Sequence, residues 1–328
     1  MGERVLVTGI TGYIGQHCAV ELLNQGYEVV GTIRSARKAE STRNAIAKAA
    51  PVDRLTFAEA DLLSDKGWDA ALNGCTYVLH VASPFLMKEP EDENEMIGPA
   101  VEGTKRVISA ARKNGVKRVV LTSSTFAIIA GKGSGHYGPG DWSDTEANIG
   151  AYAKSKTLAE RAAWKASEGG TLELVVINPG AVFGPSVGAQ AEAQNIAMIT
   201  KMIQGKIPMI PDVGMGMIDV RDVARLHVKA MTATGAAGKR FIAASAEPVE
   251  MATVAAVLKN AGYTKVPSRR APSMLLKLMG LFDREAKGMI PFLGQRASFD
   301  NRATFEILEW KPTPMEKSFR EMAASISS

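Results

Sequence analysis

The segment Gly9-Ile10-Thr11-Gly12-Tyr13-Ile14-Gly15 constrains the fold of this 328-residue chain more than any other, because it sets three glycines at the junction of a strand and a helix. Arg4 to Thr8 reads as a buried parallel strand and Gln16 to Gln25 has helical spacing. Such a turn is needed where a helix N-terminus must approach an anion. Gly9 permits the tight turn, Gly12 lets the backbone come close to a phosphate, and Gly15 lets the helix lie against its strand. The spacing is G-x-x-G-x-x-G, a variant of the general dinucleotide fingerprint, and an ordinary strand-to-helix turn is the alternative reading. The expected ligand contacts in the turn are Thr8, Gly9, Thr11, Gly12, Tyr13, Ile14 and Gly15.

The next strand, Glu28 to Ile33, ends in Arg34, where a fold preferring NAD offers Asp or Glu to the adenosine ribose. Arg37, Lys38 and Arg43 follow, so the local charge suits a ribose 2'-phosphate, and the Arg34 guanidinium can stack on adenine. NADP(H) is the expected cofactor, with Arg34 and Lys38 as contacts; a solvated basic helix start is the bland reading. Asp61 and Leu62, just past the third strand, are placed to meet the adenine, although an aspartate there equally caps a turn.

Strand-like runs at Val5–Thr8, Val29–Ile33, Leu55–Ala58, Tyr77–Val81, Arg118–Thr122 and Leu174–Ile177 alternate with helical stretches, which implies an α/β doubly wound parallel sheet. After Pro179-Gly180 the pattern loosens and methionines become frequent, at Met198, Met202, Met209, Met215 and Met217. Thioethers adapt to irregular pockets, but core packing is the simpler reading of most of them. Ile218 to Ala224 regains strand and helix character, so the chain is expected to cross back to the first domain. The division expected is a nucleotide-binding domain over 1–180 with return segments near 216–245, and a smaller, discontinuous substrate region mainly over 181–328.

A net charge of +5 spread along the chain gives no basic run for nucleic acid. Two cysteines, Cys18 and Cys75, make no disulfide framework and fit a reducing compartment. With no leader ahead of the first strand and no uninterrupted apolar stretch, a cytoplasmic protein without a membrane segment is expected, as monomer or homodimer. His17, His80, His136 and His227 are isolated from other ligand types, so no metal site is expected, and no G-x-S-x-G elbow is present.

Tyr152 and Lys156 lie four residues apart on a helix that continues through Ala163, and therefore share a face. A free phenol titrates near 10. An adjacent ammonium favours its phenolate, and Lys156 can also reach a nicotinamide ribose. The hydroxyls of Thr122-Ser123-Ser124-Thr125 follow a strand that should end at the ligand edge of the sheet. Glycine turn, hydroxyl cluster and Tyr/Lys pair, in this order, point to hydride-transfer chemistry.

The chain resembles the extended short-chain dehydrogenase/reductases over nearly its whole length. Val7 through Gly15 is similar to their nucleotide loop, and Tyr152 with Lys156 to their active-site pair. His80-Val81-Ala82-Ser83-Pro84-Phe85, Asp141-Trp142-Ser143-Asp144, Tyr152 through Trp164 and Asn178 through Pro185 are similar to the branch of dihydroflavonol reductases, cinnamoyl-CoA reductases and microbial aldehyde reductases. The resemblance implies a Rossmann-type fold and NADP-dependent carbonyl reduction. Ser124, or its neighbour Ser123, would polarise the carbonyl, Tyr152 would donate the proton, and Lys156 would bind the ribose and lower the tyrosine pKa. Val81, Ala82, Ser83, Pro179 and Val182 would line the nicotinamide side.

The stretch 131–140 is glycine-rich where the plant enzymes build part of an aromatic substrate wall, and reads as a flexible loop, lid or plain connector. Phe85, Phe126 and Ile128 are the expected apolar substrate contacts, which suits a medium-sized hydrophobic or aromatic aldehyde or ketone. The alternatives are an NAD-dependent nucleotide-sugar epimerase or dehydratase, and a hydroxysteroid dehydrogenase, both disfavoured by Arg34. A non-catalytic cofactor-sensing protein is disfavoured by the Tyr/Lys pair.

Overall fold

The structure is a computed structural model that describes residues 2–84, 90–188, 193–272, 274 and 293–327. Its centre is a seven-stranded parallel sheet. The strands are β1 (Arg4–Thr8), β2 (Glu28–Ile33), β3 (Leu55–Glu59), β4 (Tyr77–His80), β5 (Arg118–Thr122), β7 (Glu173–Pro179) and β11 (Arg240–Ala243), in the order β11-β7-β5-β4-β1-β2-β3. The progression reverses between β1 and β4, and open α/β sheets bind ligands in the crevice that such a reversal leaves at the carboxyl ends of the strands. Short elements around the sheet are β6 (Gly135–Tyr137), β8 (Ala181–Phe183), β9 (Gly214–Met215), β10 (Met217–Asp219), β12 (Val249–Glu250) and β13 (Ala297–Phe299).

The strands are apolar on both faces because both are covered. Val5, Val7, Val29, Leu79, Val120, Val175 and Ile177 pack to one side, with residues of α1 (Tyr13–Asn24) and α8 (Val220–Thr232). The alternate residues Leu6, Val30, Val78, Val119, Leu121, Leu174 and Val176 pack to the other, with α3 (Trp68–Leu72), α4 (Asn94–Lys113) and α6 (Gly150–Ser167). This period of two within continuous apolar runs is what a doubly covered parallel sheet requires. The remaining described helices are α2 (Ala39–Ile46), α5 (Phe126–Ile129), α7 (Gln194–Ile203), α9 (Met251–Asn260), α10 (Arg302–Leu308) and α11 (Met315–Ser327).

Beyond β7 the chain builds a further core from α7, α9 and α11, with Phe183 stacked edge-on to Phe319 at 5.1 Å. Met202 and Met217 are buried there and Met198 and Met215 pack against them, so these methionines serve packing. Further along, α8 packs on α1 and β11 joins the main sheet beside β7. A buried Asp222 carboxylate on α8 accepts hydrogen bonds from Trp310 Nε1 (3.2 Å) and the Thr313 amide (2.7 Å), which ties the C-terminal segment to that helix.

The glycine-rich stretch 131–140 is not a free loop. Gly135–Tyr137 forms strand β6, paired in parallel with β13, and the Asp300 amide donates to the Tyr137 carbonyl at 2.8 Å. Lys132 forms an ion pair with Asp141 (2.7 Å) across the same segment. Three residues are enough for a ladder, and the partner strand lies some 160 positions downstream, beyond the range of local pattern reading.

Candidate active site

At the first turn of α1, Gly9 and Gly15 are sterically obligatory. Gly9 has φ of 67°, and a Cβ on it would come within 2.9 Å of the Ala82 Cα. A Cβ on Gly15 would lie 2.2 Å from the Gly9 carbonyl oxygen, which is backbone and cannot yield. Gly12 is the N-cap and contributes no side-chain cap, so the first-turn amides of α1 have no side-chain acceptor from it. The turn is braced from below: the Gly9 amide donates to Thr32 Oγ1 (3.2 Å), and Thr8 Oγ1 accepts from the Ala82 amide (2.9 Å) and lies 2.8 Å from His80 Nδ1. Thr8 and His80 thus join β1 to β4 at the reversal. Thr11 and Ile14 stay half-buried in the turn, and Val81, Ala82 and Ser83 are half-buried beyond β4. The Tyr13 side chain points elsewhere: it is buried in the third core and its hydroxyl donates to the Gly184 carbonyl at 2.6 Å, so only its backbone belongs to the turn.

At the end of β2, Arg34, Arg37 and Lys38 are exposed. Arg43 is not available with them, since its guanidinium donates to the Val52 (3.0 Å) and Leu55 (2.8 Å) carbonyls and lies over the Phe57 ring. One acid does reach this corner, from β3: Glu59 accepts from the Ala36 amide at 2.8 Å and fixes the loop that carries the cations. Asp61 accepts from the Leu63 amide (3.0 Å) and so caps its own turn, while Leu62 is partly buried against Gly103 of α4.

The hydroxyl cluster and the Tyr/Lys pair meet at the carboxyl end of β5. Gly150 opens α6 with φ of 79°, and the helix carries Tyr152 and Lys156 on the face turned to Ser124. The Tyr152 and Ser124 side chains are hydrogen-bonded, and the Phe126 ring stands edge-on to the Tyr152 ring with centroids 6.0 Å apart. Burial raises the Tyr152 pKa above its usual 10, opposed by the Ser124 hydrogen bond. The sequence expectation of a phenol lowered by Lys156 finds no support in the protein alone, where desolvation is the larger influence on Tyr152 and the Ser124 hydrogen bond the opposing one. Burial also pulls Lys156 down to about 8, against an upward pull from Glu160.

The two serines separate by partner. Ser123 Oγ donates to Glu160 Oε2 at 2.5 Å, whereas Ser124 Oγ faces Tyr152 and accepts from the Phe126 amide (3.1 Å). Pro179 is buried at the end of β7 and its carbonyl accepts from the Thr125 amide (2.9 Å); Val182 lies half-buried on β8. Ile128, expected at the substrate, is instead fully buried in a small core with Ile242, Ala244, Ala297 and Phe299. On a single turn of helix, Phe126 and Ile128 necessarily face different ways. Phe85 lies outside the described residues.

Sequence reasoning passed over a buried polar layer behind these groups. The Glu160 carboxylate accepts from Ser123, from Asn178 Nδ2 (2.8 Å), from Arg240 Nε (2.5 Å) and from Trp164 Nε1 (3.3 Å). Arg240 in turn lies 3.9 Å over the Trp142 ring and donates to the Pro139 and Asp141 carbonyls. The available signal was an acid one turn beyond Lys156 on the same helix face. His80 was also overlooked as a buried group; burial and Lys156 hold it near 3, hence neutral, and its Nε2 has no partner among the described residues.

Over residues 5–244 the chain matches the model of the NAD dependent epimerase/dehydratase family. It is 35% identical over 251 residues to cinnamoyl-CoA reductase 1 of Arabidopsis thaliana, spanning 75% of this chain and 71% of that protein. With tetraketide alpha-pyrone reductase 1 of the same plant it shares 34% identity over 250 residues, 74% of this chain and 76% of that one. Among solved structures, Gre2 of Candida albicans in complex with NADPH superposes with a TM-score of 0.81 at 26% identity, over 99% of this chain and 98% of that one. The glycine turn at a strand-order reversal and the paired Tyr152 and Lys156 are thus features of a chain that belongs to the NAD-dependent epimerase/dehydratase family, the extended short-chain dehydrogenase/reductases.

Proposed function

We propose that this protein is an NADPH-dependent reductase that converts an aldehyde or ketone to the alcohol. The observation that carries the reading is the assembly of Ser124, Tyr152 and Lys156 at the carboxyl end of β5, beside the strand-order reversal. The similar reductases, and the NADPH that accompanies Gre2, agree with it.

The residues at the reversal fit NADP(H). Gly9, Gly12 and Gly15 clear the backbone and leave helix amides for a pyrophosphate, and exposed Arg34 and Lys38 offer cations to a 2'-phosphate. When bound, the cofactor supplies a hydride to the carbonyl carbon. Ser124 Oγ donates a hydrogen bond to the carbonyl oxygen, and Tyr152 gives up its phenolic proton to that oxygen as charge develops on it. A raised Tyr152 pKa keeps the proton on the phenol at neutral pH, which is the state a donor needs. Lys156 places positive charge beside the phenolate left behind. Phe126, against the Tyr152 ring, contributes an apolar wall, so the substrate class is a medium-sized hydrophobic or aromatic carbonyl.

Purified protein is mixed with NADPH or NADH and a panel of aromatic and aliphatic aldehydes, ketones and a dihydroflavonol, following the reduced-nicotinamide absorbance. NADPH-selective oxidation is expected. No turnover with any member, together with NAD retained through purification, would instead assign the site to sugar-nucleotide epimerisation or dehydration.

A further inference from the structure

The buried layer behind the Tyr/Lys pair has more order than a structural filler needs. Glu160 sits one helical turn beyond Lys156 and is buried, as is its partner Arg240. Its carboxylate is reached from four elements: Ser123 after β5, Asn178 on β7, Arg240 on β11 and Trp164 on its own helix. Asn178 Nδ2 bridges, bonding both Glu160 Oε2 (2.8 Å) and the Ser124 carbonyl (3.1 Å). One carboxylate therefore links the strand that presents Ser124 to the helix that presents Lys156.

We infer that Glu160 is the positioning residue of the site, holding Ser124 through Asn178 and keeping Lys156 protonated across the working pH range. The inference rests on the reductase reading and gives Glu160 the task of setting the charge beside Tyr152. A buried carboxylate usually costs more than it returns unless its partners are complete, and here they are. The groups that bear on Lys156 support the assignment. On α6 these are Tyr152, uncharged at neutral pH, and Glu160, and from β4 comes His80, held neutral; Arg240 of β11 lies on the far side of the network, its guanidinium on the Glu160 carboxylate and the Trp142 ring. Glu160 is thus the anion among them. Burial works against the Lys156 charge, and the carboxylate opposes burial.

The test compares Glu160→Gln, Glu160→Asp and the double variant Glu160→Gln with Arg240→Gln, which leaves no buried unpaired guanidinium and so guards against failure to fold. Reduction needs Lys156 charged, so turnover falls on the alkaline side as it loses its proton. In Glu160→Gln and in the double variant the alkaline limb of kcat is expected to move about one pH unit or more toward acid, because an opposite charge at close range is worth that much. Glu160→Asp should restore much of the limb. A purely structural role would lower kcat evenly at every pH and leave the limb in place, and that result in a folded variant would overturn the inference. The second readout needs no turnover: in ¹³C-lysine-labelled protein, the Lys156 Cε resonance, assigned with Lys156→Arg, should titrate at lower pH in Glu160→Gln than in the parent. An unshifted Lys156 titration refutes the role of Glu160 alone, whereas an inactive parent with a shifted titration refutes the reductase reading alone.

Discussion

At the glycine turn the groups offered to a ligand are backbone amides, exposed cations and the empty space of missing side chains; at the end of β5 they are side chains, Ser124 and Lys156 buried and Tyr152 half-buried with a hydrogen bond to Ser124. Neither arrangement would serve in the other's place. Exposed Arg34 and Lys38 keep their water at little cost, which suits binding an anion that is itself hydrated. Tyr152 and Lys156 have lost most of their water, so their proton affinities answer to neighbours such as Ser124 and Glu160. The mouth of the proposed site offers exposed groups, and its floor offers groups whose proton affinities burial has shifted.

The sharpest way to break this contrast is at the turn. Gly15→Val forces a Cβ into the Gly9 carbonyl, so NADPH affinity by calorimetry should fall a hundredfold or more, about 3 kcal/mol. Unchanged affinity would show that the turn does not cradle the cofactor. Next in size, Ile128→Ala should lower unfolding free energy by about 2–5 kcal/mol in urea titrations while leaving KM for carbonyls near the parent value. A large KM change at parental stability would restore Ile128 to the substrate wall. Arg34→Asp should weaken NADPH about tenfold and spare NADH, a difference of about 1.4 kcal/mol. Equal losses for both would place the 2'-phosphate elsewhere.

Acid lability spreads its effect over several buried groups remote from the turn. His17, His80 and His227 are buried with pKa values of about 4, 3 and 4, lowered chiefly by burial. Their unfolded values lie near 6.5, so below that pH the unfolded chain binds protons that the folded chain refuses. Stability should therefore be full above pH 6.5 and fall by up to about 1.4 kcal/mol per histidine per pH unit down to about pH 4. Flat stability from pH 7 to 4.5 would mean that these rings already carry protons in the fold.

The same contrast explains what could be read before the structure. The turn is local: its three glycines, the flanking strand and the helix adjoin in sequence, and the six apolar runs found their places in the sheet within about two residues. Tyr152 with Lys156 was legible because a helix puts positions four apart on one face. Glu160 obeys the same rule, yet its meaning depends on Arg240, eighty positions away, and on Asn178 across the sheet. The ladder of β6 with β13 was unreadable for a similar reason, since glycine-rich composition signals mobility unless a distant partner is known. Ser123 and Ser124 are alternatives in sequence and differ in space only because successive side chains diverge, one to Glu160 and one to Tyr152.

The most direct measurement is the turnover of Tyr152→Phe set beside its NADPH affinity, in one preparation. The phenol hydroxyl is removed and the ring kept against Phe126, so kcat should drop by about 10²–10⁴ while the dissociation constant for NADPH stays within a few-fold. A variant as active as the parent would contradict proton donation by Tyr152, and with it the division of the site into a binding mouth and a catalytic floor.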